Sequence, residues 1–210
     1  MKFEVDDHLR DSKRSVSSLQ RDGNLARAVT LVRSYPTMIE DLWHAVTGVE
    51  RLSHWFLPIS GDLEPGGRYQ FEGHAGGVIT RCQPPAHLAI TWEFGGDVSW
   101  VEVRLTENEA GRTRLALTHT ALDSEHWAEY GPGAAGVGWE LAAFGLSLHL
   151  AQPTMPKPDE ATFIASPEGK AFIAGSSEGW REAAVASGID PDAARVAADR
   201  TTAFYTGESN

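Results

Sequence analysis

The chain has 210 residues, 41% apolar and 22% charged, the composition of a soluble globular protein with room for one generous domain or for a domain plus an appendage. Its formal net charge of −11 argues against nucleic acid or anionic membrane as the main partner, because both would repel it. Cys82 is the single cysteine, which excludes an intrachain disulfide, and its strand-like neighbours Ile79, Thr80 and Arg81 suit a buried small thiol better than a nucleophile.

Residues 1–24 read as a polar arm, crowded with Asp6, Asp7, Arg10, Asp11, Lys13 and Arg14, either mobile or a short edge element. The start, Met1-Lys2-Phe3-Glu4-Val5, has no apolar h-region, and no run approaches eighteen apolar residues, so a cytoplasmic protein is expected. From Ala26 to Ser34 the residues alternate with a period of two, which predicts a strand. Tyr35-Pro36 breaks it. Thr37 is then placed to cap a helix, with Glu40 completing a capping box. That helix, Met38 to Val46, carries Ile39, Leu42, Trp43 and Val46 on one face. Gly48 ends it, and a second short helix follows from Val49 to Trp55.

A run of strands comes next. Gly66-Gly67 turns into Arg68–Glu72, with Tyr69 and Phe71 on one face, and Gly76-Gly77 turns into Val78–Gln83. His87–Phe94 places Leu88, Ile90, Trp92 and Phe94 together, and Gly95-Gly96-Asp97 makes a hairpin. Ser99–Thr106 points Val101, Val103 and Leu105 inward. Thr113–Thr120 does the same with Leu115, Leu117 and His119. The pattern is that of antiparallel hairpins with one wet face. Leu122–Gly136 reads as a loop, and a helix nearly apolar all round runs from Val137 through Trp139, Ala143 and Leu146 to Leu150. A stiff Pro-rich linker, 151–165, leads to two Ala-rich helices, Pro167–Ser187 and Pro191–Phe204, in an extension over 166–210. Such a pair is too small to stand alone, so it packs on the main body or makes a homodimer.

The order of strand, two helices, meander and long helix predicts an α+β helix-grip fold over 25–150. The residues Tyr35-Pro36, Leu42-Trp43, Trp55-Phe56, Gly66-Gly67-Arg68-Tyr69, Leu88-x-Ile90-x-Trp92, Thr113-x-Leu115-x-Leu117-x-His119 and Gly138-Trp139 resemble the START-like (SRPBCC) superfamily. The branch they are most similar to is named for the activator of heat-shock protein 90 ATPase. The resemblance implies a curved antiparallel sheet around the long helix, with a cavity between them. In that superfamily such cavities hold lipids, hormones or polyketides, and some members are cyclases or hydrolases. A chaperone-binding module linked to stress response is a sibling reading. Residues 1–24 are too short for the separate chaperone-binding domain of the eukaryotic activators.

The expected lining of that cavity is Trp55, Phe56, Tyr69, Phe71, Trp92, Phe94, Leu117, His119, Trp139, Ala143 and Leu146. These residues either fill the core or leave space for a hydrophobic or aromatic small molecule, with Tyr69 and Trp92 offering polar atoms. His119 shares the inward parity and is a satisfied core histidine, a hydrogen-bonding group for a ligand, or an acid/base. A polyketide-cyclase-like enzyme would need it beside Tyr69, Glu72 or Asp123. No nucleophile–base pair is evident, which favours a binding protein over an enzyme, and Asp123 with His126 makes only a loop pair. The histidines His54, His74, His126 and His149 lack metal-motif spacing, so no metal and no cofactor are expected. Gly136-Val137-Gly138-Trp139 lacks the Lys and Ser/Thr of a phosphate loop.

Overall fold

Alternating apolar residues form strands here because one sheet face is covered and the other is wet. The computed structural model describes residues 5–108 and 111–208. The first four residues of the expected arm and the last two of the extension lie outside them. Helix α1 (Val5–Asp11) and strand β1 (Lys13–Arg21) precede β2 (Asn24–Tyr35), α2 (Ile39–Thr47) and α3 (Val49–Trp55). Then come β3 (Ile59–Gly61), β4 (Arg68–Phe71), β5 (Gly76–Gln83), β6 (His87–Phe94), β7 (Asp97–Glu107) and β8 (Thr113–Leu122). Helices α4 (Glu125–Tyr130), α5 (Gly133–Ala151), α6 (Glu160–Ala165), α7 (Pro167–Ala186) and α8 (Pro191–Thr206) complete the chain. The strands make one eight-stranded antiparallel sheet in the order β1-β2-β8-β7-β6-β5-β4-β3. The fold is α+β, of the helix-grip type.

Contacts cluster into two units that interleave along the sequence. One comprises residues 1–31, 122–141 and 158–210; the other comprises 32–121 and 142–157. In the first unit, α5 is locked by a buried ion pair. Glu140, with no exposed surface, takes Arg14 Nε at 2.9 Å on Oε2 and Arg14 Nη2 on Oε1. Ser176 Oγ of α7 donates to Oε2 at 2.7 Å. This carboxylate has its partners in place, as a buried charge requires. Phe172, Ile173 and Trp180 of α7 are buried in the same unit.

Of the two readings of the arm, the edge element is the one the described residues form: α1 is followed by β1, an edge strand with weak alternation. Several other expectations need correction. Thr37 is not the helix cap: Met38 is, without a side-chain bond, and the Thr37 hydroxyl donates instead to Asp41 Oδ2 at 2.7 Å. Gly76-Gly77 lies inside β5, not in a turn. A Cβ at Gly77 would overlap the Thr91 backbone, so only glycine lets the strands close there. The expected loop after Leu122 holds α4, capped by Ser124, and the first residues of α5. Helix α5, at 19 residues, is by length and composition long and apolar enough to cross a bilayer. Glu140 and His149, both buried, make it a core helix here.

Candidate functional site

The second unit carries the inward face of the sheet from β3 to β8. Cross-strand register builds it in rows. Ile79 faces Ile90, Ile90 faces Val101, and Val101 faces His119. The next row runs Cys82, Leu88, Val103, Leu117. Because each partner shares a face, the alternation read from sequence becomes one continuous apolar layer.

Aromatic rings extend the layer to α3. Trp55 lies 5.6 Å from Phe56, Phe56 meets Phe71 edge-on at 5.0 Å, and Tyr69 packs on Phe71 at 5.4 Å. Phe71 lies 5.8 Å from Trp92, and Trp92 lies 6.3 Å from His119. These separations are those of favourable aromatic pairs. Two polar atoms in the set serve the fold. Tyr69 Oη donates to the Thr91 carbonyl at 2.7 Å, and Trp55 Nε1 donates to the Ala45 carbonyl at 2.8 Å. The Tyr69 hydroxyl proton is thus taken by the fold, which leaves its oxygen only as an acceptor. Burial also pushes that phenol's pKa upward.

His119 points inward as its parity requires. Its Nε2 lies 2.8 Å from Ser99 Oγ, and Ser99 Oγ donates its own proton to the Trp92 carbonyl at 3.1 Å. Ser99 can then only accept, so Nε2 of His119 carries the proton. Burial pushes the imidazole pKa down to about 4, which keeps the ring neutral at neutral pH. Ser99 has the parity of Val101, Val103 and Leu105, so the alternation of that strand was the signal that could have found it.

The remaining expected lining residues divide. Ala143 and Leu146 of α5 are buried in this unit, where Tyr35 Oη donates to the Ala143 carbonyl at 3.3 Å. Trp139 belongs to the first unit. Phe94 departs from the inward reading: it is 55% exposed and stacks on His74 at 4.8 Å. It is the last residue of β6, beside the Gly95-Gly96 turn, and the covered layer ends before it.

Other candidates resolve into separate contacts. Asp123 pairs with Arg27 at 2.8 Å, and the His126 ring packs on Tyr130 at 4.9 Å, so the loop acid/base pair does not form. Burial pushes the Cys82 thiol up, away from thiolate chemistry. Among the described residues no three His, Cys, Asp or Glu side chains converge on a metal position. In the first unit an open groove of about 770 Å³ lies between α4 and α8. It is lined by carboxylates of Glu125, Glu129 and Glu208 and by Arg200, so charges of both signs face it.

A curved antiparallel sheet with helices inserted after its second strand and a long apolar helix after its last defines the START-like (SRPBCC) class. Residues 36–150 match the family described as activator of Hsp90 ATPase homolog 1-like protein. The chain belongs to that family. No curated protein matches it. Among solved structures it is similar to CalU16 from Micromonospora echinospora. The crystal structure of CalU16 is 29% identical, with 82% of this chain and 97% of that one covered, at a TM-score of 0.68. Its solution structure gives 30%, 84%, 96% and 0.71. DynU16, a protein in the dynemicin biosynthetic locus, shares the fold at 23% identity and TM-score 0.52, over 60% of this chain and 48% of that one.

Proposed function

We propose that the chain binds a hydrophobic, aromatic small molecule against the inward sheet face of the second unit. One observation carries the reading. Leu117 and His119, mid-strand on β8, remain half-buried, whereas Leu115, Val101 and Val103 around them are buried. A central strand exposes inward residues only where the covering layer leaves room. The residues paired around Leu117 and His119 on the face, Ile90, Val101, Val103 and Leu88, are apolar, and the His119 ring is neutral. Binding without chemistry is favoured over a cyclase or hydrolase. Tyr69 is committed to Thr91, Glu72 is exposed, and Asp123 is paired with Arg27 in the other unit, so none of the three is poised as an acid or base for His119, whose ring nitrogen meets the Ser99 hydroxyl.

Native mass spectrometry of the purified protein tests this. The expected result is an added mass of roughly a few hundred daltons, the size such pockets hold, lost on denaturation. Leu117→Trp, which fills the room, should fold and lose that mass. An unloaded protein with no thermal shift across aromatic compounds, or a Leu117→Trp protein loaded as before, would sink the reading.

A further inference from the structure

Helices α3 and α5 meet at two points, one turn apart on each. Gly145 brings α5 so near that a Cβ there would lie 3.1 Å from the Trp55 carbonyl oxygen. One turn further, His149 Nε2 accepts a 2.7 Å hydrogen bond from Arg51 Nε. The His54 ring stacks on the same imidazole at 6.1 Å with the planes 5° apart. Arg51 is fixed in turn by Asp41 of α2, Nη1 to Oδ1 at 2.9 Å. An arginine only donates, so this contact exists only while Nε2 of His149 is unprotonated.

The groups facing His149 are Arg51 and His54 from α3 and Asp41 from α2; α5 adds no other titratable side chain between Ala142 and Ala151. A protonated His149 would therefore meet Arg51, whose charge Asp41 only partly offsets, and would lose the hydrogen bond as well. His149 is 4% exposed, and burial, then Arg51 and His54, push its pKa down against the upward pull of Asp41. The unprotonated ring thus belongs to the closed junction, and the proton to an open one.

We propose that the His149–Arg51 contact is an acid-released latch holding α3, with Trp55 and Phe56 at its end, against α5. That the latch controls a ligand rests on the function proposed above; the latch itself does not. Above the ordinary histidine pKa the junction is closed. As pH falls below it, the open form takes up a proton that the closed form refuses, and the equilibrium moves to open.

Hydrogen exchange of the α3 amides in the ligand-free protein, corrected for intrinsic pH dependence, reads the latch. Between about pH 7 and about pH 5 opening should rise severalfold, with a ceiling of about 25-fold if the open imidazole titrates near 6.5. His149→Gln keeps an acceptor for Arg51 but cannot titrate, and should abolish the rise. Unchanged α3 protection in the native chain, or the same rise in His149→Gln, overturns the latch. Should the variant fail to fold, the His149 ring-proton shift decides: its titration must coincide with α3 opening, and a mismatch overturns the proposal. Release of N-phenyl-1-naphthylamine, a neutral aromatic dye, separates the two claims. If α3 opens in acid and the dye never binds, the latch stands and the ligand reading falls. If the dye binds and α3 stays closed at both pH values, the latch falls and the ligand reading stands.

Discussion

His119 shows how one side chain couples the candidate site to stability. Its pKa is lowered by burial from 6.5 to about 4, so the folded chain refuses a proton that the unfolded chain accepts as pH drops below 6.5. The stabilisation from the neutral ring is fully present above that pH, fades as pH falls, and is gone below about 4. The loss amounts to about 3 kcal/mol. His119→Gln keeps an N–H for Ser99 Oγ without the titration. Urea unfolding followed from neutral to acidic pH should show the native protein losing about 3 kcal/mol more than this variant. Parallel pH profiles would remove the desolvation argument. Cys82, on β5 at the far end of the adjacent row of the face, also has its neutral form favoured by burial.

Among the elements, α5 depends on glycines that sequence propensity counts against it. A Cβ at Gly136 would overlap the Trp180 indole of α7, and one at Gly138 would lie 2.9 Å from Tyr205 Oη of α8. Trp180 is 1% exposed and has no room to swing aside. Gly136→Ala should gain about 1 kcal/mol of helix propensity and lose about 1–3 to overpacking. The net expectation is a lower denaturation midpoint, and a raised one would show that the α5–α7 contact is loose. These glycines explain what was legible. The period from Val137 announced a helix, but its first turn was hidden, because the reason for Gly136 lies in α7, remote in sequence. The turn read for Gly76-Gly77 failed for a related reason, since Thr91 of the neighbouring strand decides it, whereas the capping role read for Thr37 failed locally, its hydroxyl going to Asp41 four residues on. The strands from β6 to β8 were legible because alternation with one covered face is a local signal. In the candidate site, parity placed Leu117 and His119 inward. It carried no information on where the Tyr69 hydroxyl would go or on the exposure of Phe94, which depend on a neighbouring strand's carbonyl and on where the cover ends.

At the scale of the whole chain, the C-terminal helices are not an appendage to a finished domain. The first unit is assembled from the N-terminal segment, the stretch from Leu122 to Leu141, and residues 158 onward. Within it Ser176 completes the shell of the buried Glu140, Trp180 covers Gly136, and Thr201 Oγ1 and Tyr205 Oη donate to the carbonyls of Tyr130 and Ala134, each at 2.8 Å. Removing residues after Lys157 would deprive the Arg14–Glu140 pair of its hydroxyl partner and strip α5 of its cover from α7 and α8. A buried ion pair left part-satisfied costs several kcal/mol, comparable to the total stability of a domain. The truncated chain should therefore keep far-ultraviolet helix and strand signal but lose near-ultraviolet tryptophan ellipticity and cooperative unfolding. The family match ends at residue 150, and a chain cut there that unfolded as cooperatively as the native protein would make the residues beyond it dispensable for folding. A loss of cooperativity would instead mean that the C-terminal helices, outside the matched region, are part of what this chain needs to fold.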